Sequence, residues 1–341
     1  MRRTILFTLL AVTSLLVLGD EPSGFLSNIS NVKQLTSGGQ NAEAYWSPDG
    51  KRLIFQSTRG EGKCDQQYIM NADGSNQHLV SVGGGRTTCG YFLPDNKHIV
   101  YASTAAAGPS CPADADRSKG YVWAVYPTYD LYIANDDGSN PKRLTSTTGY
   151  DAEATINFKT KKMIYTSLES GDLDLYSMNL DGSGKKQLTK GYGYDGGAVF
   201  SRDGRKIVWR ANHPSTPETK QRYADLIKEN LTSPMKMELM VANADGSDAK
   251  EITHFNCASF APAFTPDGKQ ILFSSNKHNC DGRKFELYIV NLDGTGLRQV
   301  TNLNGFTSFP EFSPDGKKLV FVTDWKGTSP YEFNVFTADW K

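Results

Sequence analysis

The sequence predicts an all-β fold: a six-bladed β-propeller of four-stranded antiparallel blades, its ring closed by the amino-terminal strand. Two turn signatures recur in register, short apolar runs lie between them, and the repeat has the length of a propeller blade. The first signature is Asp-Gly after an aromatic or β-branched run, at Asp73-Gly74, Asp137-Gly138, Asp181-Gly182, Asp245-Gly246 and Asp293-Gly294, with a degenerate copy at Asn334 to Trp340. The second is a Pro-Asp-Gly type turn, at Ser47-Pro48-Asp49-Gly50, Leu93-Pro94-Asp95-Asn96, Thr265-Pro266-Asp267-Gly268 and Ser313-Pro314-Asp315-Gly316, with Ser201-Arg202-Asp203-Gly204 as a variant. In the third repeat Asn157-Phe158-Lys159-Thr160 takes that place, without Pro or Gly.

Each element follows from these signals. Pro presets φ for the first turn position, and Asp and Gly tolerate the later left-handed ones, so each signature joins two strands in a hairpin. Between the two turns lie Leu53-Ile54-Phe55, Ile99-Val100-Tyr101, Met163-Ile164-Tyr165, Ile207-Val208-Trp209, Ile271-Leu272-Phe273 and Leu319-Val320-Phe321. Continuous apolar runs of this length read as strands buried on both faces. A fourth strand ends each unit, as in Gln77 to Val80 and Lys142 to Thr145. Units therefore begin near Thr36, Ser81, Thr145, Thr189, Thr253 and Thr301. Their period is about 45 residues, and two units are longer by about 20. The surplus falls between the second and third strands, at 104–126 and 212–236. The last unit stops after its third strand, while Asn31 to Thr36 reads as a fourth, so the first strand completes the last blade and removes an open edge. Pro217 to Leu231 reads as a short helix with Thr216 as N-cap and Pro217 in its first position.

The 341 residues carry 37 Lys+Arg against 37 Asp+Glu. A net charge of zero with no basic stripe argues against an electrostatic nucleic-acid binder. With 38% hydrophobic and 11% aromatic residues the chain can bury a core. Met1, Arg2 and Arg3, followed by the apolar run Ile5 to Leu18, read as a signal peptide over residues 1–19, with a single propeller domain over 20–341. The run is shorter than the roughly 20 residues of a membrane-spanning helix. An uncleaved anchor is the alternative. A periplasmic or secreted protein is expected, with no membrane span once the signal is removed.

The coupled turns resemble those of the TolB-like propeller family, whose repeats carry Ser-Pro-Asp-Gly-Lys and Asn-x-Asp-Gly. The resemblance covers residues 31 to 341. It implies a six-bladed propeller in the bacterial envelope, with a protein-binding role for the Tol–Pal member. That member has an additional α/β domain before its propeller, whereas here about a dozen residues separate the expected cleavage site from the first strand.

Function is expected on one face of the ring. The loops between blades and the loops between second and third strands open on that face, and both insertions belong to the second set. Glu43, Asp151, Glu153 and Asp195 are expected to point toward the axis, with Arg86, Arg210, His213, His254, His278 and Asp324 on the same rim. An acidic funnel results. The alternative is that these carboxylates cap loop backbones and hydrate the channel.

Five cysteines in an exported chain invite disulfides. Cys257–Cys280 is expected, as is Cys89–Cys111, leaving Cys64 free; Cys64 could instead take Cys89 or Cys111. There is no Gly-x-Ser-x-Gly elbow, no His-Glu-x-x-His and no phosphate loop. The expected function is therefore a non-catalytic exported propeller binding an envelope protein, a small molecule or an oligosaccharide, as a monomer and without a cofactor. The alternative is a metal-dependent lyase or hydrolase acting on an acidic oligosaccharide. Some propellers, such as oligogalacturonate lyases, use funnel histidines and a divalent metal. Here His213, His254 and His278 with Asp151 and Asp195 would be the ligands, and Arg210 would hold a substrate carboxylate.

Overall fold

The computed structural model describes residues 24–26 and 28–341; the signal sequence read at 1–19 lies outside them. The first strand, β1 (Ile29–Gln34), stands apart from the strands that follow it in sequence. Blade 1 is the meander β2 (Gln40–Trp46), β3 (Arg52–Thr58), β4 (Gln66–Asn71) and β5 (His78–Leu79). Blade 2 begins with β6 (Thr87–Phe92) and β7 (His98–Ser103), is interrupted by the insertion that holds β8 (Trp123–Ala124), and ends with β9 (Asp130–Asn135) and β10 (Lys142–Arg143). Blade 3 comprises β11 (Asp151–Asn157), β12 (Lys162–Ser167), β13 (Asp174–Asn179) and β14 (Lys186–Gln187). Blade 4 begins with β15 (Tyr194–Phe200) and β16 (Lys206–Asn212). Helix α1 (Pro217–Lys228) and β17 (Leu231–Thr232) follow, and β18 (Glu238–Asn243) and β19 (Lys250–Glu251) complete that blade. Blade 5 is β20 (Ser259–Phe264), β21 (Gln270–Ser275), β22 (Glu286–Asn291) and β23 (Arg298–Gln299). The last blade has β24 (Thr307–Phe312), β25 (Lys318–Thr323) and β26 (Asn334–Trp340), and β1 pairs antiparallel with β26 as its fourth strand. The ring closes as the sequence predicts.

The repeated residues act as the turn chemistry requires. Asp49 Oδ1 accepts from Ser47 Oγ at 2.7 Å and from the Lys51 amide at 3.1 Å, and Gly50 takes a φ of 68°. Asp203, Asp267 and Asp315 repeat the arrangement. In blade 3 Asn157 Oδ1 accepts from the amides of Lys159 and Thr160, and Lys161 adopts the left-handed conformation in place of a glycine. That turn keeps its hydrogen bonds without Pro or Gly.

A second sixfold feature fixes the blade boundaries. The hydroxyls of Thr36, Ser81, Thr145, Thr189, Thr253 and Thr301 accept from the amides of Val335, Gln67, Leu131, Leu175, Leu239 and Leu287, all within third strands. Five of these hydroxyls donate to the residue before that amide: Asn334, Gln66, Asp130, Asp174 and Glu286. Each boundary residue thus satisfies a buried amide where a short fourth strand leaves the ladder unfinished.

The cores sit between neighbouring blades. The apolar second and third strands supply most of each, as in the cluster of Leu272, Leu287, Ile289, Leu319, Phe321 and Phe336 between blades 5 and 6. Among the described residues no helix is long and apolar enough to cross a membrane.

A roofed central chamber as the candidate functional site

Six β-bulges build the wall of the central channel. In every blade the pairing of first and second strands shifts register at one point: between Ala42 and Tyr45, Thr88 and Tyr91, Ala152 and Thr155, Gly196 and Val199, Phe260 and Ala263, and Ser308 and Glu311. The first residue of each bulge has positive φ: Glu43, Cys89, Glu153, Gly197, Ala261 and Phe309. A bulge redirects a side chain out of the pleat, and here it turns these six residues toward the cavity, which all six line. The next residue is Ala44, Gly90, Ala154, Ala198, Pro262 or Pro310, all small or lacking an amide hydrogen. Two positions beyond the bulge residue comes a second layer, Tyr45, Tyr91, Thr155, Val199, Ala263 and Glu311, which also lines the cavity.

The cavity measures about 800 Å³ and extends from the turn prolines Pro48, Pro94, Pro266 and Pro314 at one end to the insertions at the other. Those insertions form a roof. β8 and β17 pair as a two-stranded ribbon, Leu231 opposite Ala124 and Thr232 opposite Trp123. Thr216 caps α1 with a capping box shared with Thr219, and Tyr223 and Leu226 are its buried face. Leu226 and Leu231 pack against Val122 of the other insertion, and Tyr223 donates to Asp172. Trp123 stands edge-on to Phe260, 5.4 Å between ring centres, so the roof reaches across to blade 5. The helix packs on the propeller, as its apolar stripe requires.

The chamber has two unlike walls. Phe260, Ala261, Phe306 and Phe309 from blades 5 and 6, with Tyr121 and Trp123 from the roof, make the apolar side. Glu43, Cys89, Glu153 and Arg210 make the polar side. Arg210 is buried and donates to Glu153 and, at 2.6 Å, to the Tyr194 hydroxyl. Its guanidinium lies 5.1 Å from the Trp123 ring centre and occupies the space that a Cβ on Gly197 would need. Burial alone would lower its pKa, but Glu153 together with Tyr194 and Tyr150 outweighs this and raises it. Burial pushes the pKa of the Glu43 carboxyl up to about 7, with the neighbouring Cys89 thiol working against the shift. Burial likewise pushes Glu311 up to about 7, although Tyr91 Oη and the Trp46 amide donate to it at 2.5 and 2.6 Å.

The residues singled out in the sequence divide into those that reach the chamber and those that do not. Glu43, Arg86, Glu153 and Arg210 line it; Arg86 is paired with Asp65 at 3.2 Å and Asp114 at 2.7 Å. Asp151 and Asp195 do not reach the axis. They are buried at the starts of β11 and β15, where Asp151 accepts from Thr147 and Asp195 from Trp209 Nε1 at 2.6 Å. His213 is held by Asp195 at 3.1 Å, and that hydrogen bond raises its pKa. His254 pairs with Glu251, His278 lies 3.4 Å from the Tyr288 hydroxyl, and Asp324 accepts from the Phe306 amide. Each binds its own local partner. Among the described residues no three His, Cys, Asp or Glu side chains are grouped to hold a metal ion, so these donors do not fit a divalent metal in the funnel.

Cys257 and Cys280 form the expected disulfide. The other pairing is corrected: Cys64 bonds Cys111, 5.9 Å between Cα atoms, and Cys89 is free. The bulge turns Cys89 inward to the channel, whereas Cys64 lies on the loop between β3 and β4 that Cys111 reaches from the insertion. Glu311 and Cys89 as chamber residues were missed in the sequence. The signal was present as a small residue or proline two positions before an aromatic or aliphatic one, just ahead of each turn, in Ala44-Tyr45-Trp46 through Pro310-Glu311-Phe312.

The sequence profile of the TolB β-propeller domain, the PD40 repeat, matches residues 232–338. The match spans the end of blade 4, blade 5 and most of blade 6. The chain is a six-bladed β-propeller that carries the TolB-type repeat over those residues. Its structure is similar to that of a putative TolB from Agrobacterium tumefaciens, with a TM-score of 0.61 at 17% identity over 92% of this chain and 98% of that one. TolB from Acinetobacter baumannii gives 0.55 at 16% identity, over 88% of this chain and 63% of that one. An oligogalacturonate lyase in complex with manganese gives 0.53 at 13% identity, over 93% and 95%. No curated protein matches the chain. A TolB and a lyase share this architecture, so the TolB-like fold fixes the scaffold, and function must be argued from the chamber.

Proposed function

We propose that this TolB-like propeller is an exported, non-catalytic binding module that takes a small ligand into its central chamber beneath the two insertions. The observation that supports this reading is the chamber itself. Its volume of about 800 Å³ suits a ligand of drug-like size, and an apolar wall faced by a few fixed polar groups is the usual design of such a pocket. Because β8, β17 and α1 roof one end, the decorated face offers a folded partner less open rim than its sequence suggests, and a ligand held inside is the reading that the geometry favours. The two disulfides favour an oxidising compartment, periplasmic or extracellular.

The test is thermal unfolding of the purified protein against a panel of cationic, anionic, neutral and sugar ligands, beside a Val199→Trp variant that fills the chamber. At least one class should raise the Tm of the wild type and leave Val199→Trp unmoved, and the ligand should be recovered unchanged. A panel that shifts neither protein, or a ligand that is consumed, would sink the proposal.

A further inference from the structure

The charges along the chamber do not balance. Arg210 is committed to Glu153, and Arg86 to Asp65 and Asp114. Arg117, Lys159 and Arg202 are exposed residues of the lining. Glu43 and Glu311, by contrast, sit on the wall of the cavity, Glu311 accepting from Tyr91 Oη and the Trp46 amide, and among the described residues neither forms an ion pair. They belong to adjacent blades, 1 and 6, and to successive layers of the wall. Tyr91, whose hydroxyl donates to Glu311, has its ring 5.2 Å from that of Tyr45, and Phe306 and Phe309 of blade 6 line the same cavity. Carboxyls with no basic residue bonded to them, in a chamber lined by aromatic rings, form an environment in which a cation is stabilised twice, by the carboxylate form it favours and by the ring quadrupoles.

We propose that the ligand of the chamber is an organic cation: a primary or quaternary amine whose charged end approaches Glu43 and Glu311 and whose apolar body lies along Phe260, Phe306 and Phe309. This rests on the reading of the chamber as a ligand site and adds the chemical class. A carboxylate ligand would have to compete with Glu153 for Arg210 while meeting Glu43, and a neutral sugar would gain nothing from the charged form of either acid.

Titration calorimetry with four probes of similar shape tests it: phenethylamine, benzyltrimethylammonium, phenethyl alcohol and phenylacetate. Both cations should bind more tightly than the alcohol, by about tenfold for one desolvated charge–aromatic contact, and phenylacetate should bind most weakly. Glu43→Gln should lose the preference for the cations while still binding the alcohol, and Phe309→Ala, on the apolar wall, should weaken all of the probes that bind. Circular dichroism melts establish that both variants fold. Phenylacetate binding best, or an unchanged amine affinity in Glu43→Gln, would overturn the cation assignment. Alcohol or phenylacetate binding that Val199→Trp abolishes, without any amine binding, would overturn it too and leave the chamber standing as a ligand site. Amine binding that survives in Val199→Trp, or no binding of any probe, would remove both.

Discussion

Arg210 and Glu153 join blade 4 to blade 3 across the channel wall, with side chains only 10% and 14% exposed. Two charges held there are costly unless both stay, because removing one strands the other in a poorly solvated site. Arg210→Ala should therefore lower unfolding stability by about 3–5 kcal/mol, and Arg210→Met combined with Glu153→Gln should recover most of that loss. Chemical denaturation of the single and double variants measures the coupling. Glu43 gives the opposite kind of effect. Its carboxyl is pushed by burial from 4.5 up to about 7, among Cys89, Glu153, Arg210 and Asp65. The folded state thus holds a proton that the unfolded chain has already released, so the stability due to this group falls as pH rises from about 4.5 to about 7, and does not change further above that. Glu43→Gln should flatten the dependence of Tm on pH across this window, and a melt series at constant ionic strength would reveal it. Both residues could be named from sequence because they fall at matched places in the repeat, but their roles could not. Of the four acids expected to face the axis, only the bulge separates Glu43 and Glu153, which do, from Asp151, two residues before Glu153, and Asp195, which lie buried in their blades.

The elements with local chemistry were the legible ones. Pro-Asp-Gly and Asn-x-Asp-Gly turns specify their hairpins within a few residues, and Thr216 with Pro217 marks the start of α1 where the helix in fact begins. The roof ribbon was not legible, because β8 and β17 are two residues each, too short for any periodicity, and belong to different blades. Cys64–Cys111 ties the first insertion to blade 1 with a sequence separation of 47 residues. Among the described residues, α1 and β17 on the other insertion, and rings such as Phe260, also hold it in place. Replacing Cys64 and Cys111 by Ser should consequently expose the segment 104–126 to proteolysis before the blades unfold. Limited digestion read by mass spectrometry should place the first cuts there, and first cuts within the blade strands would contradict this view of the roof.

For the whole molecule, closure is the most consequential join, since every other blade is a local meander and only the last draws a strand from the far end of the chain. Ile29 pairs with Trp340, Ser30 with Asp339, Lys33 with Thr337 and Gln34 with Phe336, and the register slips once between Ser30 and Lys33. Beyond the strand, the Leu35 amide donates to the Val335 carbonyl at 2.8 Å, and the Thr36 hydroxyl accepts from the Val335 amide and donates to Asn334. Thr36→Val keeps the shape but leaves that amide unsatisfied, which should cost about 1–3 kcal/mol. A chain begun at Leu35 loses far more: β26 becomes an open edge carrying Phe336 and Trp340, and the apolar cluster between blades 5 and 6 loses Ile29. An unpaired apolar edge invites pairing with another copy. The shortened chain should melt at a lower temperature than the full one and self-associate in a concentration-dependent way, whereas a peptide spanning residues 28–36 added in excess should restore both properties by re-forming the strand. Sedimentation and thermal melts with and without the peptide decide it, and a shortened chain that stays monomeric with the original Tm would show that the six blades hold their ring without the closing strand.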